Sequence, residues 1–269
     1  MQQLARLAYD QFGLDLGAGK EGLVTSRLDK KMRQRGIQSL GDYCAFVQAD
    51  ATGAALTELI DALTTNHTSF FRESKHFDFL KEVALPAWRG RKGLQIWSAA
   101  CSTGEEPYSL AMTLLEELGQ EAAGIQIFAT DISTRVLSTA AKGLYRQDSF
   151  SQPLAPWLTK HLLRGRNAFD GWYQIKPEVR RMIRFDQVNL VRPLPASPSY
   201  AAIFCRNVMI YFDRPTQEQV VNRLTDRLEP GGYLFVGHSE SLSGVAHSLE
   251  YVCPATYRKP GSVVTGRKS

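Results

Sequence analysis

Residues 96–112 read IWSAACSTGEEPYSLAM: a short apolar run, a turn of small residues, then a segment with helical periodicity. A strand that feeds a tight turn and a helix is where open α/β sheets hold a nucleotide, beyond the carboxyl end of the strand. A phosphate-binding loop of the GxxxxGK[ST] type uses backbone amides and a lysine. This turn has Gly104 alone, no lysine, and Glu105 and Glu106 where a phosphate would rest. Two carboxylates complement the positive end of the helix themselves and repel a pyrophosphate. Pro107 suits the first helical turn. The turn therefore favours an uncharged or cationic ligand such as a sulfonium nucleoside, unless the two glutamates only stabilise the helix start.

Working outward, LQIWSAA (94–100), IQIFATD (125–131), YAAIFCRN (200–207) and GGYLFVGHS (231–239) are short apolar segments with few charges. Helical patterns such as STRVLSTAAKG and TQEQVVNRLTDRL separate them. Strands alternating with helices imply βαβ units, and strands this apolar are buried on both faces. The expectation is a doubly wound, mostly parallel α/β domain over residues 94–258. Residues 157–186 break the alternation and read as a short helix and a small antiparallel insertion, turning between Gly165 and Gly171. The first third shows helical spacing only: LARLAYDQFGLDL, then Leu23, Leu28 and Met32 up to Gly36, then two further helices. It predicts an all-α domain over residues 1–65, with residues 66–93 forming a linker and the first helix of the larger domain. Residues 259–269 read as a flexible tail.

Composition narrows the class. The chain has 269 residues, 43% of them hydrophobic and 22% charged, in the range of an ordinary globular protein. Lys plus Arg exceeds Asp plus Glu by 32 to 27, which suits an acidic protein partner but is no nucleic-acid signature without a matching motif. Cys44, Cys101, Cys205 and Cys253 are far apart with no CxxC pair, which predicts reduced thiols. No signal peptide or bilayer-length apolar run is present, so the chain is expected to be cytoplasmic, without membrane insertion. The five histidines show no metal-ligand spacing, and no metal is expected.

Polar residues at other strand ends add to the turn. Asp131 closes IQIFATD, at an interval near the ~20 residues after which an acid binds ribose hydroxyls in dinucleotide folds. It is equally placed to cap the helix that follows. Asn189 follows an apolar segment and either reads an adenine edge or forms a turn. Arg206 and Asn207 stand between two apolar runs in CRNVMIY, where burial must be compensated.

Assembled, these segments resemble the CheR family of chemotaxis receptor methyltransferases. NHTSFFRE (66–73), WSAACSTGEEPYS (97–109), ATDIS (129–133), FCRNVMIYF (204–212) and GGYLFVGHSESL (231–242) are similar to its motifs, in order and over nearly the whole chain. The resemblance implies a Rossmann-like class I methyltransferase domain that uses S-adenosylmethionine to esterify glutamate side chains on bacterial chemoreceptors. Carried over by motif, it implies that Asn66, Thr68 and Arg72 line the cofactor and the reacting centre. Ala99, Ser102, Thr103 and Gly104 would let the cofactor approach the backbone, and Glu106, with Glu105, would bind near its methionine end. Asp131 would hold the ribose, with Asn189, Leu190, Asn207 and Val208 around the adenine and methionine moieties. Arg72 and Tyr211 are the implied catalytic residues.

The implied chemistry needs no general base, because a glutamate with a pKa of about 4.3 is already ionised at neutral pH. The enzyme must align the reactants, which alone is worth roughly 7–11 kcal/mol. Arg72 suits the orientation of the incoming carboxylate. For partners, Arg27, Lys30 and Lys31 form a basic helical face suited to the acidic, helical cytoplasmic region of a receptor. In some relatives the insertion takes an extended receptor C-terminal peptide on its edge strand, a form of β-augmentation, and Gly165 and Gly171 permit that here. The enzyme is expected to act as a monomer. Two rivals stand beside this reading: a dinucleotide oxidoreductase, disfavoured by the missing GxGxxG, and a non-catalytic adaptor of the same fold.

Overall fold

The computed structural model describes residues 1–17, 19, 21–150, 154–196 and 198–261. Four helices open the chain: α1 Gln2–Phe12, α2 Glu21–Gln34, α3 Leu40–Ala49 and α4 Ala54–Leu63. Apolar residues four apart explain why they pack. Leu4, Ala8 and Phe12 are buried on α1, and Val24, Leu28 and Met32 on α2. Gly13 (φ +69°) ends α1, donating its N–H to the carbonyl of Tyr9 at 2.7 Å. Ser39 caps α3 by accepting the N–H of Asp42 at 3.1 Å, and Asp50 accepts that of Ala55 in the first turn of α4 at 2.7 Å.

A continuous helical rod follows the linker: α5 Ser74–Phe79, a π-helical turn over Leu80–Ala84, and α6 Leu85–Trp88. The larger unit then builds β1 Gln95–Ala99, α7 Glu105–Leu118, β2 Gln126–Asp131, α8 Thr134–Lys142, β3 Leu144–Arg146, α9 Pro156–Thr159, β4 Leu162–Arg164, β5 Trp172–Ile175, α10 Pro177–Arg180, β6 Ile183–Gln187, β7 Tyr200–Cys205, α11 Arg214–Arg227, β8 Leu228–Val236, β9 Glu250–Cys253 and β10 Thr256–Arg258. The main sheet runs β6-β2-β1-β7-β8-β10-β9. Its first five strands pair in parallel, with Trp97 opposite Phe128 on one side and Ile203 on the other, and β10 and β9 close it antiparallel. From β1 the chain winds outward to β2 and β6, then crosses to β7 on the other side. The β1–β7 boundary is therefore the topological switch, where such sheets place ligands.

Three sequence expectations are corrected. The stretch at 183–187, assigned to the insertion, is the edge strand of the main sheet, with Ile183 beside Ile127. Its one-sided pattern, Ile183 buried and Arg184 exposed, is that of an edge strand and resembles one arm of a hairpin. The insertion is a three-stranded sheet, β3-β5-β4, that starts at Leu144, in a strand too short to show a period. The tail does not begin at Lys259: its backbone pairs with Gly231 and Gly232, and its Nζ donates to the carbonyls of Thr225 and Leu228, both at 2.8 Å. Residues 262–269 of the expected tail lie outside the described residues. All four cysteines are free, and no described helix is long and apolar enough to cross a membrane.

Two packing details generate predictions. Gly104, at the start of α7, has φ +97°, and a Cβ there would lie 2.8 Å from the Ala140 Cβ and 2.9 Å from the Tyr145 hydroxyl. Gly104→Ala is expected to lose about 2–3 kcal/mol in urea denaturation, from overpacking and the left-handed backbone together. His76 on α5 is 1% exposed, packs edge-on against Phe235, and has no hydrogen-bond partner for either ring nitrogen among the described residues. Burial, with help from Arg206, lowers its pKa to about 3. The unfolded chain protonates this histidine near 6.5, so stability is lost as pH falls from about 6.5 toward 3. About 2 kcal/mol should disappear between pH 7 and pH 5, and His76→Phe should flatten that part of the profile. An equally steep acid loss in the variant would assign it to other groups.

Candidate active site

The turn after β1 is held in an unusual shape. Ala100 (φ +65°) and Ser102 (φ +50°) are left-handed without being glycine. The conformation costs free energy and persists only where neighbours enforce it. Here the Cys101 N–H donates to the Thr130 carbonyl at 2.8 Å, and the Ser102 N–H donates to Asp131 Oδ2 at 2.9 Å. Asp131, at the tip of β2, thus braces the turn from the next strand. Its other oxygen accepts the Ser133 N–H at 3.0 Å. Ser133, not Asp131, caps α8. Burial raises the Asp131 pKa against the pull of these N–H donors.

Beyond this turn, at the switch between β1 and β7, lies a cavity. Asn66, Thr68 and Arg72 of the linker line it, with Ser102, Glu106, Asp131, Asn189, Leu190, Asn207, Val208 and Tyr211. The structure thus gathers eleven expected residues from five separate stretches of chain. Ala99, Thr103, Gly104 and Glu105 do not line it. Ala100 and Cys101 take the place expected for Ala99. Gly104 faces Ala140 and Tyr145, and the Thr103 carbonyl accepts the Tyr145 hydroxyl at 2.6 Å. Glu105 accepts the Thr103 hydroxyl at 2.7 Å, and burial raises its pKa. Phe12, Leu14 and Ile60 of the helical domain complete the walls, and no sequence pattern pointed to them.

Arg206 is 7% exposed and was noted in the sequence without a partner. Its Nη1 meets Glu106 Oε2 and its Nη2 meets Glu73 Oε2, both at 3.0 Å, while Nη2 also donates to the Arg72 carbonyl. Glu106 Oε1 accepts the Ser98 hydroxyl at 2.7 Å. Burial pushes the Glu106 pKa up against the pull of Arg206. Burial opposes ionisation of Glu73 too, but Arg206 and further donors outweigh it and hold its pKa below the usual range. Glu106 is therefore one half of a buried ion pair, and Glu73 is a member of the site that spacing alone did not reveal. Two carboxylates around one guanidinium leave one excess negative charge. Glu73 also adjoins His76 and His238, a grouping with metal-ligand atom types that spacing did not suggest.

The two candidate catalytic side chains differ in freedom. Arg72 uses one N–H on the His67 carbonyl at 3.0 Å. The Tyr211 hydroxyl accepts the Thr65 N–H at 3.0 Å and donates to the Thr65 carbonyl at 3.3 Å, which ties the linker to the loop after β7. Asn189 is likewise engaged: its Nδ2 donates to the Gln11 carbonyl at 2.8 Å and its Oδ1 accepts the Val191 N–H at 3.1 Å.

The expected docking residues separate similarly. Arg27 donates to the Leu63 carbonyl and to the Thr65 hydroxyl, and Lys31 pairs with Glu58 at 2.9 Å, so both work within the helical domain. Lys30 is exposed. Gly165 and Gly171 are turn residues: a Cβ on Gly165 would fall 2.0 Å from the Phe169 carbonyl oxygen, and Gly171 has φ +78°. They bracket the connection from β4, an edge strand of the small sheet, to β5.

Comparison with known proteins agrees with this architecture along the chain. Residues 1–64 match the family model "CheR methyltransferase, all-alpha domain", and residues 66–258 match "CheR methyltransferase, SAM binding domain". A chemotaxis protein methyltransferase of Klebsiella aerogenes is 42% identical over 250 residues, covering 92% of this chain and 85% of its own. One from Borreliella burgdorferi is 38% identical over 270 residues, covering 96% and 93%. The Escherichia coli relative is 38% identical over 244 residues, covering 90% and 84%. Matched in both its helical and its cofactor-binding parts, the chain belongs to the CheR methyltransferase family.

Proposed function

We propose that this protein methylates glutamate side chains of a bacterial chemoreceptor, with S-adenosylmethionine as donor and the cavity at the β1–β7 switch as the active site. The observation that carries this reading is the charge arrangement around the cavity. Asp131, Glu73 and Glu106 outnumber Arg72 and Arg206 by one charge around it, and no lysine lines it among the described residues. A phosphate-bearing cofactor fits such walls poorly, whereas a sulfonium nucleoside fits them well. When bound, S-adenosylmethionine supplies a methyl group on positively charged sulfur.

The residues then have distinct tasks. Asp131 keeps lone pairs beyond its two backbone bonds, which suit ribose hydroxyls. Asn189 uses its amide to fasten the end of α1, so its part is to set Leu190 and Val188 as apolar walls rather than to read a base edge with its side chain. Phe12 and Ile60 keep water from that end of the cavity. Arg72 receives the substrate carboxylate with the N–H groups that the His67 carbonyl leaves free. Tyr211, with its hydroxyl held by Thr65, acts as a wall rather than as a proton donor. The glutamate is ionised in water at neutral pH, so alignment and exclusion of solvent are what the site must provide.

The partner is the acidic helical region of the receptor's cytoplasmic part. Lys30 and Arg33 are the exposed cations of α2 that remain for it once Arg27 and Lys31 are used internally, Arg33 keeping local contacts with Asp29, its carboxylate at 3.9 Å and its carbonyl at 3.4 Å. The free edge of β4, with Leu163 exposed, suits an extended receptor peptide.

Incubation with methyl-labelled S-adenosylmethionine and receptor cytoplasmic fragments should place label on protein that alkali releases as methanol. Arg72→Ala should reduce that label on the order of 10²-fold while the fold persists. Full labelling by the variant would remove Arg72 from the reaction. Absence of both labelling and cofactor binding in the native protein would point to an adaptor instead. Lys30→Glu with Arg33→Glu should raise the receptor KM about tenfold, more at low salt, and leave cofactor affinity unchanged. An unchanged KM would move the docking surface elsewhere.

A further inference from the structure

Glu240 lines no part of the cavity, yet it organises one of its walls. It is 8% exposed, and its carboxylate accepts four backbone N–H groups. Oε2 takes those of Gly237 and Asn207 at 2.6 and 2.8 Å, and Oε1 takes those of Met209 and Ile210 at 2.7 and 3.3 Å. The parallel ladder between β7 and β8 ends at Cys205 opposite Val236. From the next residues onward the two chains diverge, and the carboxylate provides the acceptors that the ladder no longer supplies.

The segment held in this way carries Asn207, Val208 and Tyr211 to the cavity. It needs holding. Asn207 has φ +58°, and Met209–Tyr211 is a single 3-10 turn. Neither is stable alone in water. Gly237 acts from the opposite side: a Cβ there would lie 2.6 Å from Asn207 Nδ2 and 2.7 Å from Glu240 Oε2. Glycine at 237 and glutamate at 240 are thus parts of one device, and both belong to the GGYLFVGHSESL stretch, to which no site role was assigned. The loop is also tied to the rest of the site. Asn207 Nδ2 reaches Glu73 at 3.4 Å, and Tyr211 grips Thr65.

We propose that Glu240 is a positioning residue, which fixes the Asn207–Tyr211 loop in the shape that binds the cofactor and seats the linker. The proposal rests on the reading above that Asn207 and Val208 border the cofactor. It is tested in the full chain by calorimetric titration with S-adenosylhomocysteine. Glu240→Gln keeps the volume but turns one acceptor into a donor that faces two N–H groups. Its affinity should fall about tenfold. Hydrogen exchange at Asn207, Met209 and Ile210 should accelerate at least tenfold, while Ile96 and Trp97 in β1 keep their protection. Gly237→Ala should act in the same direction, and Glu240→Asp, which retains the charge, should recover part of the affinity.

Asn207→Ala serves as the reference. If it weakens binding and Glu240→Gln stays within twofold of the native protein, the positioning role is wrong and the site reading stands. If Asn207→Ala binds normally, the site reading fails and the proposal falls with it. Exchange that accelerates equally in β1 would overturn the proposal by showing a global loss of stability rather than a local one.

Discussion

The Arg206 guanidinium, buried between Glu73 and Glu106, is the contact on which the site depends. It joins three segments distant in sequence: the linker before α5, the first turn of α7 and the end of β7. A buried charge without partners costs several kcal/mol, so none of the three can move alone without exposing one. Arg206 also donates to the Arg72 carbonyl, which places the backbone of the residue proposed to receive the substrate. Position and charge are set together, because two acids around one base leave the wall negative.

Around that anchor the structure tolerates local strain. Phe71, Glu73, Ala100, Ser102 and Asn207 all have left-handed backbones without being glycine, and all lie at the cavity or beside it. Left-handed geometry in L-residues is maintained by surrounding bonds, here Asp131 on the first turn, Arg206 on the linker and Glu240 on the loop after β7. Carboxylates do most of this work because an acceptor-only group can satisfy several N–H donors at once. Asp131 and Glu240 each hold two or more backbone N–H groups in this way.

The helical domain is part of the site as well. Leu14 bridges to Phe212, the Asp15 N–H donates to the Tyr211 carbonyl at 2.8 Å, and Asn189 holds the Gln11 carbonyl. The end of α1 is therefore fastened to both loops that border the cavity. Arg27, expected to face a partner, instead binds the carbonyl end of α4 and Thr65, where the linker leaves the domain. A basic run on one helix does not reveal which of its charges are turned inward.

Much was legible from the chain alone. Strands apolar on both faces specify a covered parallel sheet, spacing of three and four specifies the helices, and a turn without lysine but with paired acids disfavours a phosphate cradle. These are local properties, fixed by covalent neighbours and by the period of the backbone. What the sequence left open is non-local. Glu105 and Glu106 are adjacent and chemically identical, yet only Glu106 lines the cavity, because successive side chains on a helix point about 100° apart and Arg206 waits on one side only. The same holds for Ile183–Gln187, whose membership of the main sheet rests on pairing with β2 and not on its own composition. Burial and periodicity are written in short windows of sequence. Which charges meet, which amides a carboxylate gathers and which basic residues remain exposed are decided only when distant segments pack.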